Sequence, residues 1–388
     1  MSAKGGKPPR ILHIHATFDE GAKELRSVRL INAFARDADH AIVSADKDRR
    51  NAAHQIARGL RISWPRFPQL HGRPTPGRLN AIGAAMAGYD LICTYGWGAM
   101  NAVLAHTLLA DLHKLPPLVH HEDGFDDDEA TRLRTTRNWY RRIALGRTSA
   151  LVVPSKRIER IALETWQQPR SRVRLIPPGI ATRAITGSPK RDILPRLIKR
   201  RDEFWMGTFA DLEEGANLDL LVRTIAKLPE EWQLVIVGEG PGRDALMRLA
   251  EEMGTEDRVH LPGSVAQPDR LVGLFDIYAQ PAPAAAEFPV RMVEAMAAAL
   301  PVLAQHMGET ADMLASDNGP YLAEAGDEAS FIDAARQLAH DPQARKRVGQ
   351  ANRTRAREEY DEKRMIERYR ALYWGLMNRP RIAAEAPQ

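Results

Sequence analysis

An acidic residue stands alone in an apolar helical pattern in the last third of the chain. Glu294 lies between Pro289 and Ala297, where most other side chains are apolar. A proline at the start of such a run is typical of a first helical turn, and the apolar residues predict burial of most of the circumference. A buried carboxylate is costly unless a polar group meets it. Glu294 is therefore either a ligand-facing acid at a domain cleft or a helix-end carboxylate paired with a nearby arginine.

A second candidate is His121, which ends the apolar run 117–121 and is followed by an acidic stretch that reaches Glu129. The run predicts a buried strand. Open α/β sheets bind ligands at the carboxyl ends of their strands, which makes His121 a candidate site residue. The alternative is a histidine that only hydrogen-bonds at a strand end.

Two glycine turns each join a predicted strand to a predicted helix. Gly21 precedes a helix that runs roughly from Ala22 to Arg36, and the second turn contains Gly238, Gly240 and Gly242. Unpaired N–H groups at such helix starts favour anions. The second turn has the spacing G-x-G-x-G rather than G-x-G-x-x-G, so it does not indicate a nicotinamide site.

Strand and helix patterns alternate twice along the chain. The predicted strands are 10–15, 40–45, 59–64, 89–94, 117–121, 150–155 and 172–176, then 204–209, 232–237, 258–261, 276–279 and 301–304. In the second series the predicted helices lie near 217–228, 241–253, 267–274 and 289–298. This spacing indicates strand–helix–strand units, in which the strands are parallel and the crossover connections are right-handed. The predicted fold class is α/β, with two doubly wound Rossmann-like domains facing a cleft.

The predicted domain boundaries follow composition. The segment 182–201 is polar and basic and carries glycine and proline, which is typical of a linker. The predicted divisions are a tail at 1–9, an N-terminal domain at 10–185, a linker at 186–202, a C-terminal domain at 203–356, a helix at 357–378 and a tail at 379–388. The last helical segment, 341–378, is long enough to pack on more than one domain.

Composition bounds the compartment and the partners. The chain has 388 residues, a net charge of +5 and one cysteine, Cys93, so it has no intrachain disulfide and fits a reducing compartment. No apolar run is long enough to span a bilayer, and the N-terminus lacks the apolar core of a signal peptide. The spread of basic residues permits attraction to anionic substrates or lipid headgroups and does not require nucleic acid.

A basic segment follows the acidic stretch after His121. Between 132 and 147 it carries several arginines with Trp139 and Tyr140 among them. Such a run is usually a solvated helix face, and the alternative is contact with a membrane or a polyanion. No zinc-type spacing or Walker loop accompanies it.

The order and spacing of several short motifs resemble the GT-B glycosyltransferases of family 4, the retaining, sugar-nucleotide-dependent type. The resemblance covers roughly 11–377. It rests on Thr17-Phe18-x-x-Gly21, His120-His121-Glu122, Val152-Val153-Pro154-Ser155, Ile176-Pro177-Pro178-Gly179-Ile180, Gly238-Glu239-Gly240-Pro241, Arg258-Val259-His260-Leu261-Pro262-Gly263, and Phe288-Pro289 through Glu294 to Leu300-Pro301-Val302.

The resemblance implies a site at the cleft between an acceptor domain and a nucleotide domain. Gly21 would leave room for the donor diphosphate, His121 would face the sugar as the catalytic residue, and Glu294 would bind the ribose hydroxyls. Phe18, Glu287, Gly238, Gly240 and Gly263 complete the implied substrate-binding set. The final helix would cross back to the first domain. No cofactor and no metal are implied, because the nucleotide sugar is itself a substrate.

The chain departs from the family pattern at the donor site. The Glu-x7-Glu pattern counted back from Glu294 reaches Ala286, with Glu287 displaced by one residue. No basic residue occurs from Trp205 to Val222, where the family places an arginine and a lysine; Ala216 falls at the lysine, and Glu213 or Thr208 at the arginine. Losing cations beside a leaving diphosphate removes transition-state stabilisation. Ala299 also replaces a helix-ending glycine at a left-handed position.

The sequence favours two hypotheses and gives less support to a third. The first is a cytoplasmic, metal-independent glycosyltransferase, peripheral at an anionic membrane, that moves a sugar from a nucleotide donor to a lipid-linked or glycan acceptor in polysaccharide or glycolipid biosynthesis. The second is a catalytically inactive GT-B protein that binds a glycan or a partner. The third, a nucleotide-sugar epimerase, needs basic phosphate contacts and an acid pair that the sequence does not supply.

Overall fold

The structure, a computed structural model, describes residues 7–125, 129, 132–185, 187–194, 197–281, 288–306 and 310–378. Its strands form two sheets whose paired strands are parallel. Crossover connections that contain α-helices or 3₁₀ turns join the successive strands of each sheet, as parallel pairing requires. The predicted α/β class with two Rossmann-like domains is confirmed.

The first sheet has the strand order β3-β2-β1-β4-β5-β6-β7. Its strands are β1 (Arg10–His15), β2 (Asp39–Ser44), β3 (Ile62–Ser63), β4 (Leu91–Tyr95), β5 (Leu118–His121), β6 (Ala150–Val153) and β7 (Val173–Leu175). Its helices are α1 (Ala22–Phe34), α2 (Pro76–Met86), α3 (Met100–His113), α4 (Thr135–Ala144) and α5 (Lys156–Glu164). Every residue of β4, β5 and β6 is buried, because helices cover both faces of a parallel sheet.

The second sheet has the strand order β10-β9-β8-β11-β12-β13. Its strands are β8 (Phe204–Phe209), β9 (Trp232–Val237), β10 (Val259–His260), β11 (Ile277–Gln280), β12 (Val302–Gln305) and β13 (Leu322–Ala323). The helices of this half and of the C-terminus are α6 (Leu218–Ile225), α7 (Arg243–Glu252), α8 (Val290–Ala297), α9 (Thr310–Met313), α10 (Glu328–His340), α11 (Pro342–Glu359) and α12 (Glu362–Leu376).

The chain divides into two compact units. The first ends at Pro178 and resumes at Met365, and the second is Gly179–Arg364. Most of α12 therefore belongs to the first unit, where Tyr369, Tyr373 and Trp374 join an apolar core with Phe34. The stretch predicted as a linker, 186–202, lies in the second unit, because Leu194 is buried in its core at 2% exposure.

Three predicted elements differ from the structure. The helix predicted at 267–274 is two 3₁₀ turns, Pro268–Arg270 and Val272–Leu274, in a segment that contains both a proline and a glycine. The third strand is only Ile62–Ser63. The last helical segment is broken between α11 and α12, where the Asp361 carboxylate accepts the backbone N–H of Lys363 at 3.0 Å and starts a new helix.

In both sheets the chain reverses its direction of winding at one place. The reversal lies between β1 and β4 in the first sheet and between β8 and β11 in the second. Ligands of open α/β sheets bind at the carboxyl ends of the strands at such a switch point. Each unit thus has one expected place for a ligand site.

Candidate active site

At the switch point of the first unit, Gly21 begins α1 without a side-chain cap. A Cβ atom at this position would lie 2.5 Å from Oε2 of Glu24, so the glycine makes room for a side chain of its own helix. The Glu24 side chain is buried, and its Oε1 lies 3.8 Å from Nδ1 of His15. A carboxylate already lies at the helix start, where an anion would otherwise be favoured. The predicted diphosphate contact at Gly21 stays a prediction.

Phe18 lies in a small core of the first unit rather than on an open surface. Its side chain is fully buried and packs edge-on against His15 and Trp64, with ring centroids 5.0 and 5.7 Å away. Its backbone N–H donates to the Arg49 carbonyl at 2.8 Å. The structure therefore gives Phe18 a packing role, and its predicted contact with substrate is untested.

His121 ends β5 as predicted and is enclosed by its own unit. Its Nδ1 lies 3.1 Å from the Thr94 carbonyl oxygen, which can only accept, so Nδ1 carries the proton. Its Nε2 then accepts from the Tyr373 hydroxyl at 2.9 Å. The ring stacks on Tyr95, and burial holds its pKa well below the ordinary histidine value. This neutral imidazole, with both ring nitrogens hydrogen-bonded, matches the alternative that the sequence allowed, a histidine that only hydrogen-bonds at a strand end. A hydrogen bond between Nε2 and a sugar would require Tyr373 to move.

Charged residues that the sequence reasoning missed surround this strand end. The guanidinium of Arg26 on α1 donates to both carboxylate oxygens of Asp123, one of them at 2.8 Å. Burial raises the pKa of Asp123, but the adjacent Arg26 outweighs it, so the pKa lies below its ordinary value. Arg26 lies two residues after Glu24, and its position in the first turns of the helix after Gly21 was the available signal.

The basic helix α4 is partly turned inward. Arg141 is 1% exposed and donates to Glu122 at 3.2 Å and to Glu129 at 2.9 Å. Arg137 adds a second contact to Glu129 at 3.1 Å. These arginines neutralise acids of the stretch after β5, because a buried carboxylate needs a charged or hydrogen-bonding partner. The prediction of a solvated face is wrong for Arg141.

At the switch point of the second unit, Glu294 is buried in α8 with 7% of its surface exposed. Its Oε2 accepts from Arg291 at 2.7 Å, so the pairing that the sequence offered as one interpretation is observed. Burial raises the pKa of Glu294, and Arg291 opposes this shift. The Arg291 guanidinium also lies 5.9 Å from the ring of Phe209, which ends β8. A carboxylate and a guanidinium therefore lie together at the carboxyl edge of the second sheet.

The glycine turn after β9 packs against the loop after β8. A Cβ at Gly238 would collide with the Ala210 carbonyl oxygen, and one at Gly240 would lie 2.5 Å from that of Leu212. The backbone N–H of Gly242 donates to the same Leu212 oxygen at 2.7 Å. At Gly263 the φ angle is +90°, and Glu239 lies 3.2 Å from the position of a Cβ. These glycines admit neighbouring protein atoms, and their contacts with a nucleotide stay predictions.

Of the positions that depart from the family pattern, Ala216 and Ala299 are among the described residues. Ala286 and Glu287 lie outside the described residues, so the predicted role of Glu287 has no structural account here. Ala216 is partly buried and packs against a hydrophobic core of the second unit. Ala299 has φ +67°, which confirms the predicted left-handed position after α8. Within the described parts of the chain, no group of three side chains could hold a metal ion.

Two family models match the chain one after the other. The model described as Glycosyltransferase Family 4 matches residues 24–184, and the model described as Glycosyl transferases group 1 matches residues 190–355. The chain belongs to the GT-B glycosyltransferases of family 4. The first model covers the unit with His121, and the second covers the unit with Glu294.

Two relatives of this family 4 chain match over part of its length. N-acetyl-alpha-D-glucosaminyl L-malate synthase of Bacillus anthracis is 24% identical over 40% of this chain and 42% of its own. N-acetylgalactosamine-N,N'-diacetylbacillosaminyl-diphospho-undecaprenol 4-alpha-N-acetylgalactosaminyltransferase of Campylobacter jejuni is 27% identical over 41% of this chain and 44% of its own. Each match spans less than half of the relative's own length.

A solved structure agrees with the family 4 fold over nearly the whole chain. HepE of Anabaena, crystallised with UDP, superposes with a TM-score of 0.72 at 18% identity. The superposition covers 93% of this chain and 98% of HepE. At this identity the similarity shows the fold alone.

Proposed function

We propose that this family 4 protein is a retaining glycosyltransferase that moves a sugar from a nucleotide donor to a lipid-linked or glycan acceptor. The observation that carries the proposal is Glu294, a buried acid at the carboxyl edge of the second sheet. Its ion pair with Arg291 at 2.7 Å offsets the cost of burial, and the pair places a hydrogen-bond acceptor and a cation together at that edge. The name of the Campylobacter relative, which specifies a diphospho-undecaprenol acceptor, supports the lipid-linked class. In this proposal the protein works in the cytoplasm, at the inner face of an anionic membrane.

The Glu294 carboxylate would accept hydrogen bonds from the hydroxyl groups of the nucleotide ribose. Arg291 supports this role, because its guanidinium at 2.7 Å opposes the effect of burial and favours the ionised acid. Arg291 also brings positive charge into a unit that has no basic residue from Trp205 to Val222. Stabilisation of charge on a leaving diphosphate needs such a cation when no metal is present.

A second candidate function is a GT-B protein that has lost catalysis and binds a glycan or a partner. Two observations favour this second function: Glu24 is buried beside Gly21, and the segment from Trp205 to Val222 has no basic residue. Both make the binding of a diphosphate less favourable. The two candidates differ in whether the protein binds a nucleoside diphosphate and turns over a donor.

The test is a calorimetric titration of the full chain with UDP and with GDP. The proposal expects binding of one of them, and expects Glu294→Ala to weaken it by about tenfold or more, since a hydrogen bond to a charged group contributes about 1.5–3 kcal/mol. Asp333→Ala removes an exposed acid of α10 and should leave binding unchanged. If the parent protein binds neither nucleotide, the proposed enzyme function is overturned. If Glu294→Ala binds as tightly as the parent, the assignment of Glu294 to the ribose is overturned.

A gain-of-function variant tests the departures directly. Ala286→Glu combined with Ala216→Lys restores the acid and the cation of the family pattern, and turnover of a nucleotide sugar should rise. If turnover appears only in this variant, the parent chain is the inactive protein.

A further inference from the structure

Two neighbouring helices of the first unit expose large apolar side chains. Leu108 and Leu112 on α3 are 57% and 68% exposed, and Trp139 and Ile143 on α4 are 56% and 57% exposed. Each pair is spaced by four residues, so each lies along one stripe of its helix. Single exposed apolar residues are ordinary, but four on adjacent helices mark an interaction surface. These four residues are called the α3–α4 face below.

The packing of α3 against α4 brings the two stripes to one side of the unit. The Thr107 hydroxyl, next to Leu108, donates to the Ala144 carbonyl, next to Ile143. One turn farther along α3, Asp111 forms a bidentate ion pair, at 2.7 and 2.9 Å, with Arg147 of the 3₁₀ turn Leu145–Arg147 that follows α4. The helices thus run side by side in the same direction, and both stripes lie on their outer side.

The described residues around the α3–α4 face carry more basic than acidic side chains. Arg142 stacks over the ring of Trp139 at 5.1 Å, and Lys114 ends α3 as an exposed residue. Arg147 is also exposed, and Asp111 is the acid that it meets. No acid occurs from Arg132 to Arg147 in the sequence. Aromatic and aliphatic side chains rimmed by arginine and lysine match a lipid surface with anionic headgroups.

We propose that the α3–α4 face docks the protein on an anionic lipid surface, with Leu108, Leu112, Trp139 and Ile143 entering the headgroup boundary. A second copy of this chain fits less well, because a symmetric contact would place like charges of Arg142 and Lys114 against each other. Lipid headgroups supply the opposite charge. Within the described residues no helix is long and apolar enough to cross a bilayer. The proposal gives the lipid-linked acceptor of the proposed function a docking surface, and its test needs no nucleotide.

The experiment is flotation of the full chain with vesicles of phosphatidylcholine alone and with vesicles that also contain phosphatidylglycerol. Binding is expected only to the anionic vesicles and should weaken as salt is added. Replacing the four apolar residues with glutamine should reduce binding by about tenfold or more. Lys114→Gln with Arg142→Gln should reduce it by about fivefold per charge, from about 1 kcal/mol for each.

A matched control lies in the second unit. Ile193 and Ile198 are 37% and 66% exposed there, and Ile193→Gln with Ile198→Gln should leave vesicle binding unchanged. The thermal midpoints of all variants are compared to exclude misfolding. The proposal is overturned if the parent protein binds neither vesicle, if it binds both equally, or if the four-residue variant still binds. A concentration-dependent dimer that the four-residue variant abolishes, without vesicle binding, would also overturn it. Because UDP titration is independent of vesicles, failure here leaves the proposed transferase intact.

Discussion

The two sheets differ in what their strands bury. Strands of the first sheet carry buried histidines, all at most 2% exposed, whereas strands of the second sheet bury mainly aliphatic and aromatic side chains. The buried histidines of the first sheet are His13, His15, His40, His120 and His121. Buried polar groups are stable only when hydrogen-bonded, so the first unit depends on specific partners where the second depends on apolar area.

The partners in the first unit form a continuous network. The Tyr95 hydroxyl lies 3.0 Å from Nδ1 of His13, and Nε2 of His13 lies 3.0 Å from Nδ1 of His40. Ser27 on α1 contacts the same hydroxyl at 3.4 Å. Such a network fixes the register of α1 against β1, β2 and β4, because a displaced helix would leave buried polar atoms without partners. The difference between the units can be tested by removing one buried group at a time.

The largest effect is expected from Arg141→Met in the first unit. The substitution leaves the buried carboxylates of Glu122 and Glu129 without their shared cation, which should cost about 3–5 kcal/mol. The matched change in the second unit is Arg345→Met. Arg345 is 8% exposed but donates to the carbonyls of Leu338 and Ala339 rather than to an acid, so about 1–3 kcal/mol is expected.

Urea unfolding followed by circular dichroism measures both variants. Adding Glu122→Gln to Arg141→Met should recover part of the loss, because it removes the carboxylate that has lost its arginine, whereas Glu129 keeps its contact with Arg137. An equal or larger loss for Arg345→Met would show that the two units do not differ in this way.

The next effect is a difference in acid stability. Burial lowers the pKa of His13, His40 and His121, that of His40 to about 4. Unfolded histidines titrate near pH 6.5, so between about pH 6.5 and about 4 the unfolded chain binds more protons than the folded one. Stability should therefore be complete above this window and fall as the pH decreases through it, by up to about 1.4 kcal/mol per pH unit for each such histidine.

The measurement is hydrogen exchange by mass spectrometry at several pH values, corrected for intrinsic rates and read separately for peptides of each unit. Peptides of β1, β2 and β5 should lose protection before those of β9 and β12. His13→Gln with His40→Gln should flatten the pH dependence of the first unit, even though it lowers stability at neutral pH. A parallel decline of both units would contradict the comparison.

The fold was readable from the sequence because its signals are local. Apolar runs separated by helical patterns gave the strands of both sheets, and the left-handed position of Ala299 followed from the glycine expected there. The 3₁₀ turns at 268–274 were misread as a helix because an apolar pattern over eight residues does not distinguish a helix from two short turns. The pairing of Glu294 with Arg291 was also readable, since side chains three positions apart on a helix are neighbours.

The environment of His121 was not readable from the sequence, because its partner is distant. Tyr373 lies 252 positions away, and only the return of α12 to the first unit brings its hydroxyl to the imidazole. The inward side of α4 was missed for a related reason. A run of arginines has no local mark that separates Arg141, which meets Glu122 and Glu129, from exposed Arg147.

The smallest effect concerns two tyrosines one turn apart on α12. The Tyr373 hydroxyl donates to His121, whereas the buried Tyr369 hydroxyl has no hydrogen-bond partner among the residues that the structure describes. Tyr373→Phe should cost about 1–2 kcal/mol, since it leaves a buried imidazole nitrogen unsatisfied. Tyr369→Phe should be neutral or slightly stabilising, because it removes a buried polar atom without breaking a bond. Urea unfolding of both variants measures the difference, and equal costs would mean that the specific bond to His121 does not hold α12 in the first unit.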